Sequence, residues 1–194
     1  MITVNENHEY LKDNLIVIPS VSQLVQYATG EDYSNIPPHI LANAAEFGTT
    51  IHDAIEDYLT DGTETQFYDD KLNNSWSEFM RLKDEYIGKE NVIETQIDFE
   101  EKYAGRIDLL SGTTLIDFKT NAKFDDSLEK HLEWQLGYYK LALVRMGYRV
   151  SECYCLYLPK KGQGMWVPIE PKPEIKLKAN YDNYVKSKRD FRFY

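Results

Sequence analysis

The chain has 194 residues, enough for one domain with a substantial core, and its 42% hydrophobic and 28% charged residues are ordinary for a water-soluble globular protein. No apolar run approaches the ~20 residues that span a bilayer, and the N-terminus lacks the basic-then-apolar order of a secretory signal, so no membrane association and a cytoplasmic location are expected. A net charge of −10 speaks against non-specific grip on a polyanion by the whole surface, yet residues 160–194 carry nine Lys/Arg against four acids, leaving that segment at +5 and residues 1–159 at −15.

In chain order, residues 1–36 form a lead-in: an irregular or hairpin-like arm with a short strand at 15–18, a short capped helix beginning Pro19-Ser-Val-Ser-Gln-Leu, and a loop over 29–36. Pro37-Pro38 opens a long helix whose apolar face runs through 47, 51, 54, 55 and 58 and which stops at Asp61-Gly62. Gly48 inside it costs about 1 kcal/mol relative to alanine and hints at close packing or ligand approach. A second helix is expected over 74–87, capped by Asn or Ser. Strands follow at about 91–99, 103–110 and 114–119, then a helix over 127–146 closed by Gly147. Strands at 149–158 and 164–168 and a helix within 171–190 complete a single domain, with residues 160–194 as a basic C-terminal extension. Cys153 and Cys155 lie two apart on one face of an apolar strand, where they read as buried thiols and not a disulfide.

The hairpin is the most informative stretch. If its turn is centred at Gly112-Thr113, facing residues have numbers summing to 225, and Asp108 falls opposite Asp117. Like charges facing one another destabilise a ladder. Lys119 lies two residues beyond Asp117 and so on the same face of the pleat. Two anions and a cation on one face suit a divalent-metal site with a catalytic lysine beside it. Arg106 shares the face of Asp108 and is a candidate to hold a phosphate.

Other elements offer candidates that each have a plainer reading. His52 and Glu56 are four apart on one helical face, as metal ligands or as a surface pair. Glu94 projects among Val92, Ile93 and Ile97, either at a water-facing edge or into a site that compensates its charge. Leu132, Leu136, Tyr139 and Leu143 define a buried stripe, and Gln135 lies beside them, as a cap on a core hydrogen bond or as a contact to a phosphate or base. Tyr138 and Trp134 could stack on a nucleotide, although core packing is the stronger reading for Trp134.

Taken together, Gly-x-x-x-His52, Gly-Arg-Ile-Asp108, Ile-Asp117-Phe-Lys119-Thr and Gln135-x-x-x-Tyr139 resemble the RecB-type branch of the PD-(D/E)XK nuclease superfamily, and are similar to its stand-alone phage and prophage exonucleases. The resemblance runs from about residue 19 to about residue 158. It implies an α/β restriction-endonuclease-like core with a mixed sheet, ordered α-β-β-β-α-β with flanking helices. It further implies His52, Asp108, Asp117 and the carbonyl of Phe118 as metal ligands, Lys119 as the catalytic lysine, and Gln135 and Tyr139 as a helix motif lining the site. Glu94 matches a first-strand acid of many members. The cofactor implied is Mg²⁺ or Mn²⁺, without an iron–sulfur cluster, since four cysteines would be needed. The expected activity is an end-dependent DNA exonuclease of phage recombination or repair, with DNA as partner and an annealing protein or recombinase as a further candidate. A structure-selective or RNA-directed nuclease and a non-catalytic nucleic-acid-binding module stay as alternatives.

Overall fold

A computed structural model describes residues 2–5 and 9–190. The N-terminal lead-in is a three-stranded antiparallel meander, β1 (Ile2–Val4), β2 (Tyr10–Lys12) and β3 (Ile16–Ile18), more regular than the arm expected there. Helix α1 (Val21–Thr29) starts with a capping box, in which the Ser20 hydroxyl accepts from Gln23 N and Ser20 N donates to the Gln23 side chain. Helix α2 (Pro38–Asp61) has proline at its first position and ends at Gly62 in the left-handed conformation, as its sequence requires. Helix α3 (Asp70–Leu82) begins earlier than expected, because Asp69 supplies the cap by accepting from Lys71 N and Leu72 N.

The expected strand 91–99 is two strands, β4 (Asn91–Ile93) and β5 (Gln96–Phe99), and the expected strand 103–110 is likewise β6 (Tyr103–Arg106) and β7 (Leu109–Ser111). The cause is a shared interruption. Glu94 adopts φ +44, and three bonds bridge the break: Glu94 N to Asp108 O at 2.9 Å, Ile107 N to Thr95 O at 3.0 Å and the Arg106 side chain to Glu94 O at 3.0 Å. The hairpin therefore bends once across both arms, in the manner of a bulge. Beyond the bend, β7 and β8 (Thr114–Lys119) pair as Leu109↔Ile116, Leu110↔Leu115 and Ser111↔Thr114, the register read from the sequence, with Gly112 at φ +58 in the turn.

Helix α4 (Asp126–Arg145) crosses over to β9 (Glu152–Tyr157), which pairs parallel to β8, and β10 (Met165–Pro168) closes the far edge. The five-stranded sheet is ordered β10-β9-β8-β7-β4, with β8 central. This is the mixed α/β core, α-β-β-β-α-β with flanking helices, that the restriction-endonuclease-like resemblance implies. One apolar cluster packs α1 and α4 onto Leu110, Leu115, Cys153 and Cys155; the other packs α2 and α3 onto Leu109, Ile116, Phe118 and Leu156. Both cysteines are buried and free, and burial raises their thiol pKa values.

Helix α5 (Glu174–Asp190) changes the picture of the C-terminal segment as a mere basic extension. Leu177 is fully buried, and the buried Asn180 amide donates to Leu24 O and to the Tyr138 hydroxyl at 2.9 and 2.8 Å. The segment completes the core. Among the described residues, no helix is long and apolar enough to cross a membrane.

Candidate metal centre

The bend in the hairpin lies against the middle of α2 and the end of β8, and four elements converge there. Within α2, His52 Nε2 lies 3.2 Å from Phe118 O. A carbonyl can only accept, so Nε2 is the donor of this contact and Nδ1 is the ring atom turned to the acids. Nδ1 sits 3.6 Å from Asp108 Oδ1 and 3.9 Å from Glu94 Oε1. One atom from each of His52, Glu94 and Asp108 lies within 4.8 Å of the others. The positive φ of Glu94 is what turns its carboxylate into this group. That backbone conformation is uncommon for a residue with a side chain, and nothing in the local sequence signals it.

The carboxyls show their crowding. Burial, then the neighbouring Asp108 charge, raises Glu94 to about 7 against the pull of Arg106 and His52. Burial also raises Asp108, reinforced by Asp117 and opposed by His52. Asp108 Oδ2 meanwhile accepts from Phe118 N at 2.7 Å, which fixes its orientation one residue ahead of the ladder.

Asp117 and Lys119 form the other half. Asp117 is 1% exposed, on the central strand beneath α4. Its Oδ2 lies 2.7 Å from Lys119 Nζ, although the angle leaves that oxygen without a well-formed hydrogen bond. Burial pulls the Lys119 pKa down, but the charges of Asp117 and Asp108 outweigh it and the net shift is upward. Lys119 is therefore an ammonium at neutral pH.

Several sequence-read residues take roles other than those expected. Arg106 is tied to acids, with Nε 2.6 Å from Glu94 Oε2 and Nη2 3.7 Å from Glu56, so its cation already has carboxylate partners. The Phe118 carbonyl, implied as a metal ligand, accepts from His52 Nε2, which leaves its second lone pair open. Gln135 donates to the Tyr139 hydroxyl at 3.3 Å and leaves its buried Oε1 without a partner. Tyr139 is only 5% exposed, which removes it as a stacking platform; its hydroxyl is raised first by burial and then by the charge of Asp117. A Cβ at Gly105 would come within 2.9 Å of the Tyr139 ring, so the glycine of Gly-Arg-Ile-Asp is required by this packing. Gly48 has no such need, its nearest neighbour being Thr120 Oγ1 at 3.5 Å. Tyr138 is buried, with its hydroxyl donating to Leu177 O, and Trp134 stacks on it within the core.

One feature was not legible beforehand. His131 Nδ1 meets the Glu31 carboxylate at 2.9 and 3.0 Å, a pair a hundred positions apart in sequence. Both line a cleft of about 470 Å³ that opens beside Lys119, together with Tyr33, Lys123 and Ser127.

The donor set suits a hard divalent ion: two carboxylates and one imidazole converge, burial and then neighbouring acids hold the carboxyls above their usual range, and the buried Asp117 Oδ2 meets only Lys119 without a well-formed hydrogen bond.

No protein-family model and no curated protein sequence matches the chain. Among solved structures, it is similar to the crystal structure of SSO0001 with a TM-score of 0.53 and 15% identity, over 86% of this chain and 74% of that one. A phage-related exonuclease from Haemophilus somnus is similar over 88% of this chain and 96% of that one, at 12% identity and a TM-score of 0.41. LHK-Exo, solved in complex with dAMP, is similar over 88% and 87%, at 13% identity and a TM-score of 0.46. The first of these likenesses establishes a shared fold and nothing finer, and the other two score too low to carry an argument.

Proposed function

We propose that this protein is a metal-dependent nuclease that hydrolyses phosphodiester bonds in DNA from a free end. The observation that carries this reading is the convergence of His52, Glu94 and Asp108 on one point, with the buried Asp117–Lys119 pair on the adjoining strand. His52, Glu94, Asp108 and Asp117 would hold the ion, Mg²⁺ or Mn²⁺ by the hardness of the donors. Phe118 contributes by orienting His52 through its carbonyl. When bound, the ion supplies Lewis acidity at a phosphoryl oxygen and a more acidic water.

The chain's own residues do the rest. Lys119 keeps its proton, so it serves as a fixed positive charge and not as a general base; placed beside the scissile phosphate, it stabilises the charge that builds up on the equatorial oxygens. Asp117 keeps that ammonium from swinging away. Gln135 and Tyr139 back the pair from α4, and Arg106 holds the Glu94 carboxylate in place from outside. An acidic surface offers little grip on the middle of a duplex, whereas a free end delivers an unpaired strand to the cleft without the cost of opening internal base pairs.

The test is incubation of the pure protein and Mg²⁺ with linear and with covalently closed circular DNA. Linear DNA is expected to be degraded to short products while circles persist, and Lys119→Ala is expected to abolish degradation while retaining DNA binding. Efficient nicking of closed circles would replace the end-dependent reading with an endonuclease. Normal cutting by Lys119→Ala would overturn the mechanism.

A further inference from the structure

A second groove, of about 460 Å³, shares Asn121 and Ala122 with the Glu31–His131 cleft that opens beside Lys119. Its walls are Ile40, Asn43 and Ala44 of α2, the turn Thr120-Asn121-Ala122 that leaves Lys119, and Lys160. Lys160 is the one charged residue of this lining. In a chain of net charge −10, a groove that adjoins the site and is walled without a carboxylate is selective by charge alone. Asp69, the cap of α3, lies outside the lining; its pKa is lowered first by the bond from Leu72 N and least by the Lys160 charge.

The loop that carries Lys160 and Lys161 is held unusually firmly. From α3, the Asn74 amide donates to Pro159 O and Gly162 O at 2.9 and 3.0 Å, and the buried Ser75 hydroxyl reaches Leu158 O and Pro159 O at 3.0 and 2.9 Å. Farther along, Glu78 accepts from Gly164 N at 2.7 Å and Arg81 donates to Gly164 O at 3.0 Å. At its start, Leu158 N donates to Lys119 O at 2.8 Å, so the loop is anchored to the backbone of the lysine in the site. The Lys160 ammonium rests 4.3 Å from the centre of the Phe47 ring, a contact that orders it without neutralising it. Two lysines of the following segment differ: Lys178 is paired with Glu174 at 2.5 Å and Lys172 with Glu133.

We infer that this groove seats a single strand of DNA immediately next to the phosphate being cut, with Lys160 and Lys161 contacting its backbone and Asn43 and Asn121 facing its bases or sugars. The inference rests on the nuclease reading for the position of the cut, but the groove's affinity for a strand does not require that cutting occur. On this account the basic character of residues 160–194 acts through the β9–β10 loop, and α5 is scaffold. The exposed first turns of α2, with Ile40 49% exposed, form the outer wall along which the strand runs.

The experiment compares Lys160→Ala/Lys161→Ala with Lys176→Ala/Lys186→Ala, a pair on the exposed surface of α5 that changes net charge by the same amount. Binding of a short fluorescein-labelled single-stranded oligonucleotide is measured in EDTA over a range of salt, and cleavage kinetics in Mg²⁺. The loop variant is expected to bind severalfold more weakly, with the logarithmic salt slope reduced by about 1.4 for two lost phosphate contacts. Its KM should rise severalfold while kcat stays within about twofold, and the α5 variant should match the parent. An unchanged slope in the loop variant, or equal losses in both variants, would overturn the inference while leaving the nuclease reading standing. A parent protein that binds but does not cut would remove the nuclease reading, and selective loss of binding in the loop variant would still sustain the groove. Absence of any binding by the parent would overturn both.

Discussion

Two Asp/Lys pairs lie a few residues apart in this chain with nearly the same geometry and opposite surroundings. Asp117 and Lys119 meet at 2.7 Å with side chains 2% and 19% exposed; Lys123 and Asp125 meet at 2.6 Å with side chains 78% and 34% exposed. Both are two positions apart in sequence. The inner pair sits on a central strand among other charges, where water cannot replace a lost partner. The outer pair stands in solvent, where water and salt already screen it. Distance alone says nothing about what an ion pair contributes; the dielectric around it decides.

The strongest way to break this comparison is Asp117→Ala, which leaves the largely buried Lys119 ammonium without its nearest carboxylate. Unfolding in denaturant should show a loss of about 3–5 kcal/mol, together with loss of activity. A loss below about 1 kcal/mol would mean that Lys119 escapes to solvent, and the two pairs would be equivalent after all. Next in size is Gly105→Ala, which drives a methyl group into the Tyr139 ring behind the inner pair and should cost about 1–3 kcal/mol by the same measurement.

A third variant sharpens the comparison through pH. The folded-state value of Glu94 is raised from 4.5 to about 7, so its proton stabilises the metal-free fold fully below about pH 4.5. That contribution is lost as pH rises through about 7. Glu94→Gln should flatten this part of the stability profile and also remove thermal protection by Mn²⁺. In the parent, protection should grow as pH rises through about 7, because the ion displaces the Glu94 proton. Protection that is constant from pH 5 to 8 would exclude Glu94 as a ligand. Smallest of all, Lys123→Ala should leave the melting temperature unchanged within error. A clear shift would show the outer pair to be coupled to the cap that Asp125 provides for α4.

The sequence carried the parts of this arrangement that depend on local spacing. The turn at Gly112-Thr113 set the β7–β8 register, and with it the neighbourhood of Asp108, Asp117 and Lys119. The 3.6-residue period placed His52 on the inner face of α2. What spacing could not convey was the break at Glu94, because it depends on a backbone conformation that several long-range bonds impose together. A regular strand from 91 to 99 would have aimed Glu94 differently. The charge count misled in another way. Lys172 and Lys178 add to a basic total, but Glu133 and Glu174 neutralise them, and such pairing is invisible to composition. Glu31 and His131 were missed for the same reason.

The buried bond from Asn180 to the carbonyl of Leu24 joins residues 156 positions apart. It imposes an order on how the chain can be built. The β7–β8 hairpin closes over a few residues and can form as soon as it is made, whereas α1, packed on α4 and the sheet through Val21, Leu24 and Val25, gains its remaining cover from α5. During synthesis from the N-terminus, every residue of the proposed metal centre is therefore in place well before the fold that holds it can close. A chain shortened before α5 would keep the residues of the proposed metal centre but lose the buried bonds of Asn180 and the cover of Leu177.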